Sequence, residues 1–448
     1  MPPVRAFRPI TYAPQRFASP EVAARIRLPD EPGARPGAGR AVSDLTEVVC
    51  PPYDVIDEPL RERLLARDPH NAVRLEFPPG EDPHHAAAAA LRDWLTDGTL
   101  ARRPAAAVYY YAFATADMPD EPTVPGVLAQ VLLEPYGGDV RAHEHTMPGP
   151  KADRLAHLQA TRTQVSPILA IYFDASERYR HVMGRAWTDE WRARDEDGLL
   201  HTAGEVEADD RLLGYLSRQR LYIADGHHRY ETALAYQAEV RANPALAGAA
   251  PGELAADWVM MVLVNAELEE LRVLPTHRLL RRVDAEALER LARGEVDPWR
   301  SGALAEEELL TVLGQGDAEP VFGLLLPGGR SFVLRIGREA AGERMRRERV
   351  STAVAKLDLA VLQAALLDDV LTIGSADVAA GERLTYTRSA TEARSAVEAG
   401  EVQAAILVRP TSLEQIAAVA SAGDVMPQKS TYFYPKLLTG MAFNPLEG

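Results

Sequence analysis

Asp225-Gly226-His227-His228-Arg229 sets a carboxylate, a glycine and three nitrogen-bearing side chains in a row. Residues 221–224 before it form a short apolar run that suits a buried strand. Tyr230, Ala233, Leu234 and Ala238 after it recur with helical spacing. The stretch therefore predicts strand, turn and helix. Gly226 admits a backbone conformation that a side chain would forbid, and Asp225 is placed as an N-cap acceptor. Two histidines and an arginine in a first helical turn, where backbone N–H groups also point outward, suit a phosphate or another anion. The plainer alternative has Asp225 capping the helix and Arg229 paired with a surface carboxylate.

Further charged residues lie along the chain. His143-Glu144, Lys151, Arg154 and Arg162 precede the turn, and His277-Arg278, Lys429 and Lys436 follow it. Tyr53-Asp54, after Pro51-Pro52, is expected at a rigid, exposed turn. Converging on one cleft, these residues would offer one or two carboxylates amid several cations. That set suits phosphoryl transfer, because its catalysis is mostly positioning and charge neutralisation. Glu144 would take the proton of an acceptor hydroxyl. The alternative is a scatter of cations on a solvated surface.

Other chemistries lack their residues. His143-Glu144-His145 with His227 and His228 has neither H-E-x-x-H spacing nor a cysteine pair, so no protein-held transition metal is expected. Magnesium carried by a nucleotide needs only one or two carboxylates. Gln428-Lys429-Ser430-Thr431 has glutamine where a Walker A loop needs glycine, and no G-x-G-x-x-G opens a helix. The G-x-S-x-G elbow of a serine hydrolase is missing. Cys50, the single cysteine, reads as a small buried apolar residue.

The segment ADGHHRYETAL resembles the signature of a large prokaryotic family, domain of unknown function 1015. PPYDVI, NAVRLEFP, HExT…KxDR and MPxKSTYFYPK match that family's pattern over nearly the whole chain. The D-G-H-H-R core is also similar to the phosphate-binding motif of ParB-like proteins, in particular the ParB-like free serine kinases. There an H-E pair precedes an Arg-bearing helix, a P-I strand and then D-G-H-H-R. This chain has His143-Glu144, Arg154 and Arg162, Pro167-Ile168, and Asp225 to Arg229 in that order. The resemblance implies Glu144 as base; Asp225 is the second expected catalytic residue. The resemblance also implies Gly226, His227, His228 and Arg229 as phosphate cradle; His143, Lys151, Arg154 and Arg162 are expected as further nucleotide contacts. Tyr53, Asp54, His277, Arg278, Lys429 and Lys436 are then expected at the substrate or on a lid. One departure is the connection from Asp174 to Leu221, much longer than in the small kinases.

A chain of 448 residues is long enough for two or three packed units. Its 46% hydrophobic and 25% charged content is that of a globular protein. A net charge of -16 argues against an extended nucleic-acid footprint, which wants a basic face. One cysteine fits a reducing cytoplasm. No apolar run approaches about 18 residues, so no membrane span is expected, and the N-terminus lacks a signal-peptide core.

The expected architecture is α+β: a ParB/serine-kinase-like nucleotide-binding core over 126–280, flanked by a segment 1–125 and a C-terminal α/β unit 281–448. Strands are expected over 105–113, 124–133, 168–173, 221–224, 257–265, 271–280, 320–326, 331–336 and 404–408. Helices are expected over 57–65, 84–95, 151–163, 285–293, 357–367, 392–399 and 413–422. Residues 30–40 read as a mobile loop, 135–139 as a turn giving a hairpin-like entry into the next motif, and 178–209 as a polar, peripheral segment, and Pro148 and Pro150 are expected to break structure. The expected function is nucleotide-dependent phosphorylation of a small hydroxylated metabolite, free L-serine first. The expected cofactor is Mg²⁺ with ATP or ADP. The alternative is a ParB-like, nucleotide-binding switch protein. Expected partners are the nucleotide and a small molecule, with no nucleic acid and no membrane; the sequence leaves a homodimer open.

Overall fold

A computed structural model describes residues 1–22, 25–26, 41–144, 146, 148–176, 187–188, 191–206, 210–246, 248–269, 271–315 and 319–447. The expected loop at 30–40 and His145 lie outside the described residues. The fold is α+β, in two compact units. The first comprises Met1–Ala142, Thr146–Leu271 and Pro435–Gly448; the second comprises His143–His145 and Arg272–Tyr434.

The first unit is built on an eleven-stranded mixed sheet. From one edge its order is Ala18–Val22, Ala41–Asp44, Trp191–Arg194, Leu200–Val206, Val108–Phe113, Val124–Leu132, Trp258–Asn265, Ile168–Tyr172, Leu221–Asp225 and Val140–Arg141. Val4–Arg5 pairs with Val124–Leu132 off this path. Val108–Phe113 and Trp258–Asn265 are buried at every position. Such runs need cover on both faces, unlike the alternating pattern of a half-solvated strand. Val108, Tyr110 and Ala112 join one core with Leu212, Tyr215, Tyr230 and Ala233 from helices Asp210–Leu216 and His227–Arg241. The alternate residue Tyr111 points to the other face, where its hydroxyl meets His201 Nδ1 at 3.0 Å.

Three local expectations change here. Pro148 and Pro150 do not break structure; they lie in the first turn of the helix Pro148–Thr161. A first turn uses no intrahelical N–H, so proline costs nothing there. The polar segment 178–209 is not peripheral where it is described: Trp191–Arg194 and Leu200–Val206 lie inside the sheet order. Trp191 and His201 are buried, which a composition average over the segment hides. The turn before Val140 leads into no hairpin, because Val140–Arg141 pairs in parallel with Leu221 and Tyr222.

Helix Pro148–Thr161 packs on helix His227–Arg241. Lys151 Nζ reaches Glu231 at 2.9 Å, and Gln159 Nε2 reaches Glu239 at 2.7 Å. Lys151 to Gln159 and Glu231 to Glu239 are the same step, so the helices run parallel.

The second unit holds a six-stranded antiparallel sheet, ordered Trp299–Ala303, Arg330–Ile336, Val321–Leu326, Ala404–Leu407, His277–Leu280 and Leu384–Thr387. Helices Glu306–Gln315 and Ala390–Glu398 supply Leu309, Leu313, Ala393 and Val397 to its core. The helix expected over 357–367 is an α-helical turn, Asp358–Val361, running into a π-helical segment, Leu362–Asp368.

His277 is buried in this sheet, and its Nδ1 accepts the Val408 N–H at 3.2 Å. Burial, then the neighbouring Arg278, push its pKa from 6.5 down to about 4. The unfolded chain therefore takes up a proton below about pH 6.5 that the native imidazole refuses down to about pH 4. The stability His277 contributes is present above that window and is lost as pH falls through it. At about 1.4 kcal/mol per pH unit the loss reaches roughly 3 kcal/mol. Urea unfolding at pH 7.5 and 5.0 is expected to show a smaller acid loss in His277→Asn than in the parent; equal losses would remove His277 as the source.

Candidate functional site

The site starts where the strand Leu221–Asp225 ends and the helix His227–Arg241 begins. Gly226 is the N-cap residue, with φ 98° and ψ 29°, a left-handed conformation that side chains disfavour. No side chain caps this helix. The expected capping role of Asp225 is thus corrected: its carboxylate turns to two cations instead. One oxygen pairs with Lys436 Nζ, and the other lies 2.5 Å from Arg229 Nη2. The three side chains are 11–13% exposed. Burial opposes ionisation of Asp225, yet Lys436, Arg229 and His227 hold its carboxyl well below the usual carboxylate range. Burial likewise opposes the Arg229 charge, and Asp225, Asp54 and Glu76 more than offset it.

Arg229 also donates to the Pro167 carbonyl, at the start of strand Ile168–Tyr172. Beside it, Ser166 Oγ donates to Glu76 at 2.8 Å, and the other Glu76 oxygen accepts the Tyr53 N–H at 3.0 Å. Arg154 donates to the Glu76 carbonyl at 2.9 Å and lies 4.4 Å over the Tyr53 ring. Tyr53 is therefore half-buried under Arg154, while Asp54 beside it is exposed. Burial and Asp54 push the Tyr53 phenol up, with Arg229 and Arg154 pulling the other way. A continuous polar chain runs from Tyr53 through Glu76, Ser166-Pro167 and Arg229 to Asp225 and Lys436.

Asp225, Arg229, Arg154, Tyr53 and Lys436 are thus brought together within the first unit. Lys436, expected at the substrate or on a lid, is in contact with Asp225. His227 is buried and His228 half-buried in the same helical turn. Lys151 sits on the neighbouring helix, paired with Glu231. Arg162 lies apart: it is 62% exposed and bridges to Glu447 at 2.6 Å. Glu76 and Ser166 carry much of the network and were not singled out from sequence. The available signal was a carboxylate, Glu76, inside the otherwise apolar NAVRLEFP.

The remaining candidates belong to the second unit. Glu144 Oε1 accepts the Lys429 N–H at 3.0 Å, and Lys429 has φ 56°. His143 Nε2 lies 3.0 Å from Thr431 Oγ1. His277 and Arg278 are both 3% exposed in the strand His277–Leu280, so neither sits on a surface lid. Arg278 donates to the Thr276 carbonyl and lies 5.5 Å over the Tyr386 ring. Burial lowers its pKa to about 10. Among the described residues no group of three or more His, Cys, Asp or Glu could hold a metal ion, and no helix is long and apolar enough to cross a membrane. Cys50 is free and buried, and burial raises its thiol pKa.

A family model described as "Protein of unknown function (DUF1015)" matches residues 35–360. The chain belongs to this family. No curated protein matches it. Among solved structures it is similar to a conserved hypothetical protein from Pyrococcus furiosus, at 14% identity and TM-score 0.34, over 67% of this chain and 89% of that one. It is similar to a free serine kinase in complex with AMP, at 14% identity and TM-score 0.35, over 66% of this chain and 83% of that one. It is also similar to SbnI with a C-terminal truncation from Staphylococcus aureus, at 14% identity and TM-score 0.36, over 71% and 87% of the two chains.

For this DUF1015 protein the Gly226 turn has a direct test. A Cβ at Gly226 would meet the Arg229 guanidinium at 3.1 Å, on a backbone already at φ 98°. Gly226→Ala is expected to lose about 1–3 kcal/mol and to displace Arg229. Thermal unfolding at parental stability would show that the turn tolerates a side chain.

Proposed function

We propose that this protein is a nucleotide-dependent phosphotransferase whose acceptor is a small hydroxylated metabolite, free L-serine being the first candidate. The observation that carries the reading is the turn at Gly226: a left-handed glycine opens a helix without a side-chain cap, with Arg229 and Lys436 fixed beside it by one buried carboxylate. A helix N-terminus with two anchored cations favours phosphate. Asp225 acts here as a positioning residue, since both its oxygens are bonded to cations. Those bonds also leave it unsuited to hold Mg²⁺, which would travel with the nucleotide's phosphates. In the reaction the terminal phosphoryl group leaves its bridging oxygen for the acceptor oxygen, and the acceptor's proton passes to a base. Glu144 is our candidate base, on the motif order alone, and has its own test.

Phosphorus NMR of the purified protein with Mg²⁺, ATP, ADP or CTP and a pool of amino acids tests the reading. A new phosphomonoester resonance that requires an acceptor is expected. Nucleotide hydrolysis indifferent to any acceptor would favour a switch protein instead. In the same system Arg229→Ala is expected to weaken nucleotide binding by about 1.5–3 kcal/mol, the worth of a charge-assisted contact. Unchanged affinity by calorimetry in a folded variant would remove Arg229 from the cradle.

A further inference from the structure

Beside Arg229 the first unit contains a small pocket with a cavity volume of about 50 Å³. It lies where the parallel helices Pro148–Thr161 and His227–Arg241 meet the sheet. Arg154 and His157 on one helix, and Arg229 and Thr232 on the other, are each three residues apart and so share a face. Leu158, Val165, Ile168 and Val259 form the apolar wall. His157 and Thr232 are each 4% exposed. Among the described residues neither ring nitrogen of His157 nor the Thr232 hydroxyl has a hydrogen-bond partner. Buried polar side chains are nearly always partnered, and here two of them line one pocket.

We propose that this pocket binds a small uncharged alcohol, its hydroxyl between His157 and Thr232 and its carbon chain on the apolar wall. The charged lining groups already balance one another, so the pocket needs no further charge: Arg229 bonds to Asp225 and the Pro167 carbonyl, Arg154 to Asp153 and the Glu76 carbonyl, and Glu76 accepts from Ser166 and the Tyr53 N–H. Burial first, then Arg154 and His84, lower the His157 pKa to about 3, so the imidazole is neutral and offers one donor and one acceptor. A hydroxyl accepts from one such partner and donates to another. A carboxylate can only accept, which leaves one imidazole nitrogen unpaired, and its charge would enter a lining that already holds Glu76. An ammonium can only donate and would face Arg154 and Arg229. The inference goes beyond phosphate binding and stands or falls without it, because neither His157 nor Thr232 belongs to the cradle turn.

The test uses the full chain labelled with ¹⁵N-histidine, its His157 signals assigned by loss in His157→Phe. Titration with 2-propanol and with propane-1,2-diol is expected to shift the His157 ring nitrogens saturably. Acetate and methylammonium, of similar size, are expected to leave them in place. Thr232→Val should weaken alcohol binding at least tenfold and Thr232→Ser should retain it. Thr232→Val should also keep or raise the melting temperature, since the hydroxyl it removes bonds to no protein group. No saturable shift with either alcohol, equal binding by Thr232→Val, or tighter binding of acetate would each overturn the proposal.

Discussion

Replacing Asp225 by alanine is expected to destabilise the first unit by about 3–5 kcal/mol, the cost of removing one member of a buried ion group. The carboxylate is shared by two cations that are themselves 11–13% exposed. Its loss strands both Arg229 and Lys436 in a poorly solvated place, and that orphaning outweighs the lost attraction. A double variant, Asp225→Ala with Lys436→Met, removes one of the stranded charges. It is therefore expected to be more stable than Asp225→Ala alone, with a coupling of about 1–3 kcal/mol between the positions. Calorimetric unfolding of the parent, both single variants and the double variant measures this. Additive effects would mean that Lys436 and Asp225 do not interact in solution. Acid mimics the substitution only at low pH: the folded carboxyl titrates well below the usual range, so its contribution is full above the ordinary carboxylate pKa of about 4 and is lost progressively as pH falls from there to the depressed value.

Glu144→Gln is expected to fold, to melt near the parent temperature and to lose phosphoryl transfer by about 10²-fold or more. The carboxylate accepts the Lys429 N–H at 3.0 Å, and a glutamine carbonyl oxygen keeps that bond. Lys429 at φ 56° needs such a brace, because a side chain there is disfavoured. What glutamine removes is the charge, and with it the capacity to take a proton. If Glu144 only braces the Lys429 turn, Glu144→Gln leaves turnover of the folded protein intact, and Glu144→Ala lowers the melting temperature. Melting temperature, nucleotide affinity and turnover on one preparation of each variant distinguish base from brace.

The central strand–turn–helix was legible because each part is locally determined. An apolar run before Asp225, a glycine and 3.6-residue periodicity are all visible within sixteen residues. The direction of the Asp225 side chain was not legible. Capping is a local rule, whereas Lys436 lies 211 positions away and only folding brings it near. The same holds for Glu76, whose partners Tyr53, Arg154 and Ser166 come from three separate stretches. Arg162 shows the reverse: it follows the same helix as Arg154 in sequence, yet the helix ends at Thr161 and Arg162 turns to Glu447 at the surface.

By itself the amino-acid sequence determined the α+β class, the positions of the strongly apolar strands such as Val124–Leu132 and Trp258–Asn265, the family motifs and the left-handed turn at Gly226. Those follow from periodicity, backbone stereochemistry and residue type over short spans. Only the tertiary structure decided which charges meet. It tied Arg229 and Lys436 to one buried carboxylate, put Glu144 with Lys429 in the second unit, and gathered His157 and Thr232 on one pocket wall. Burial sets the strength and partner of a charge or a hydroxyl, and burial is a property of the packed chain rather than of any segment.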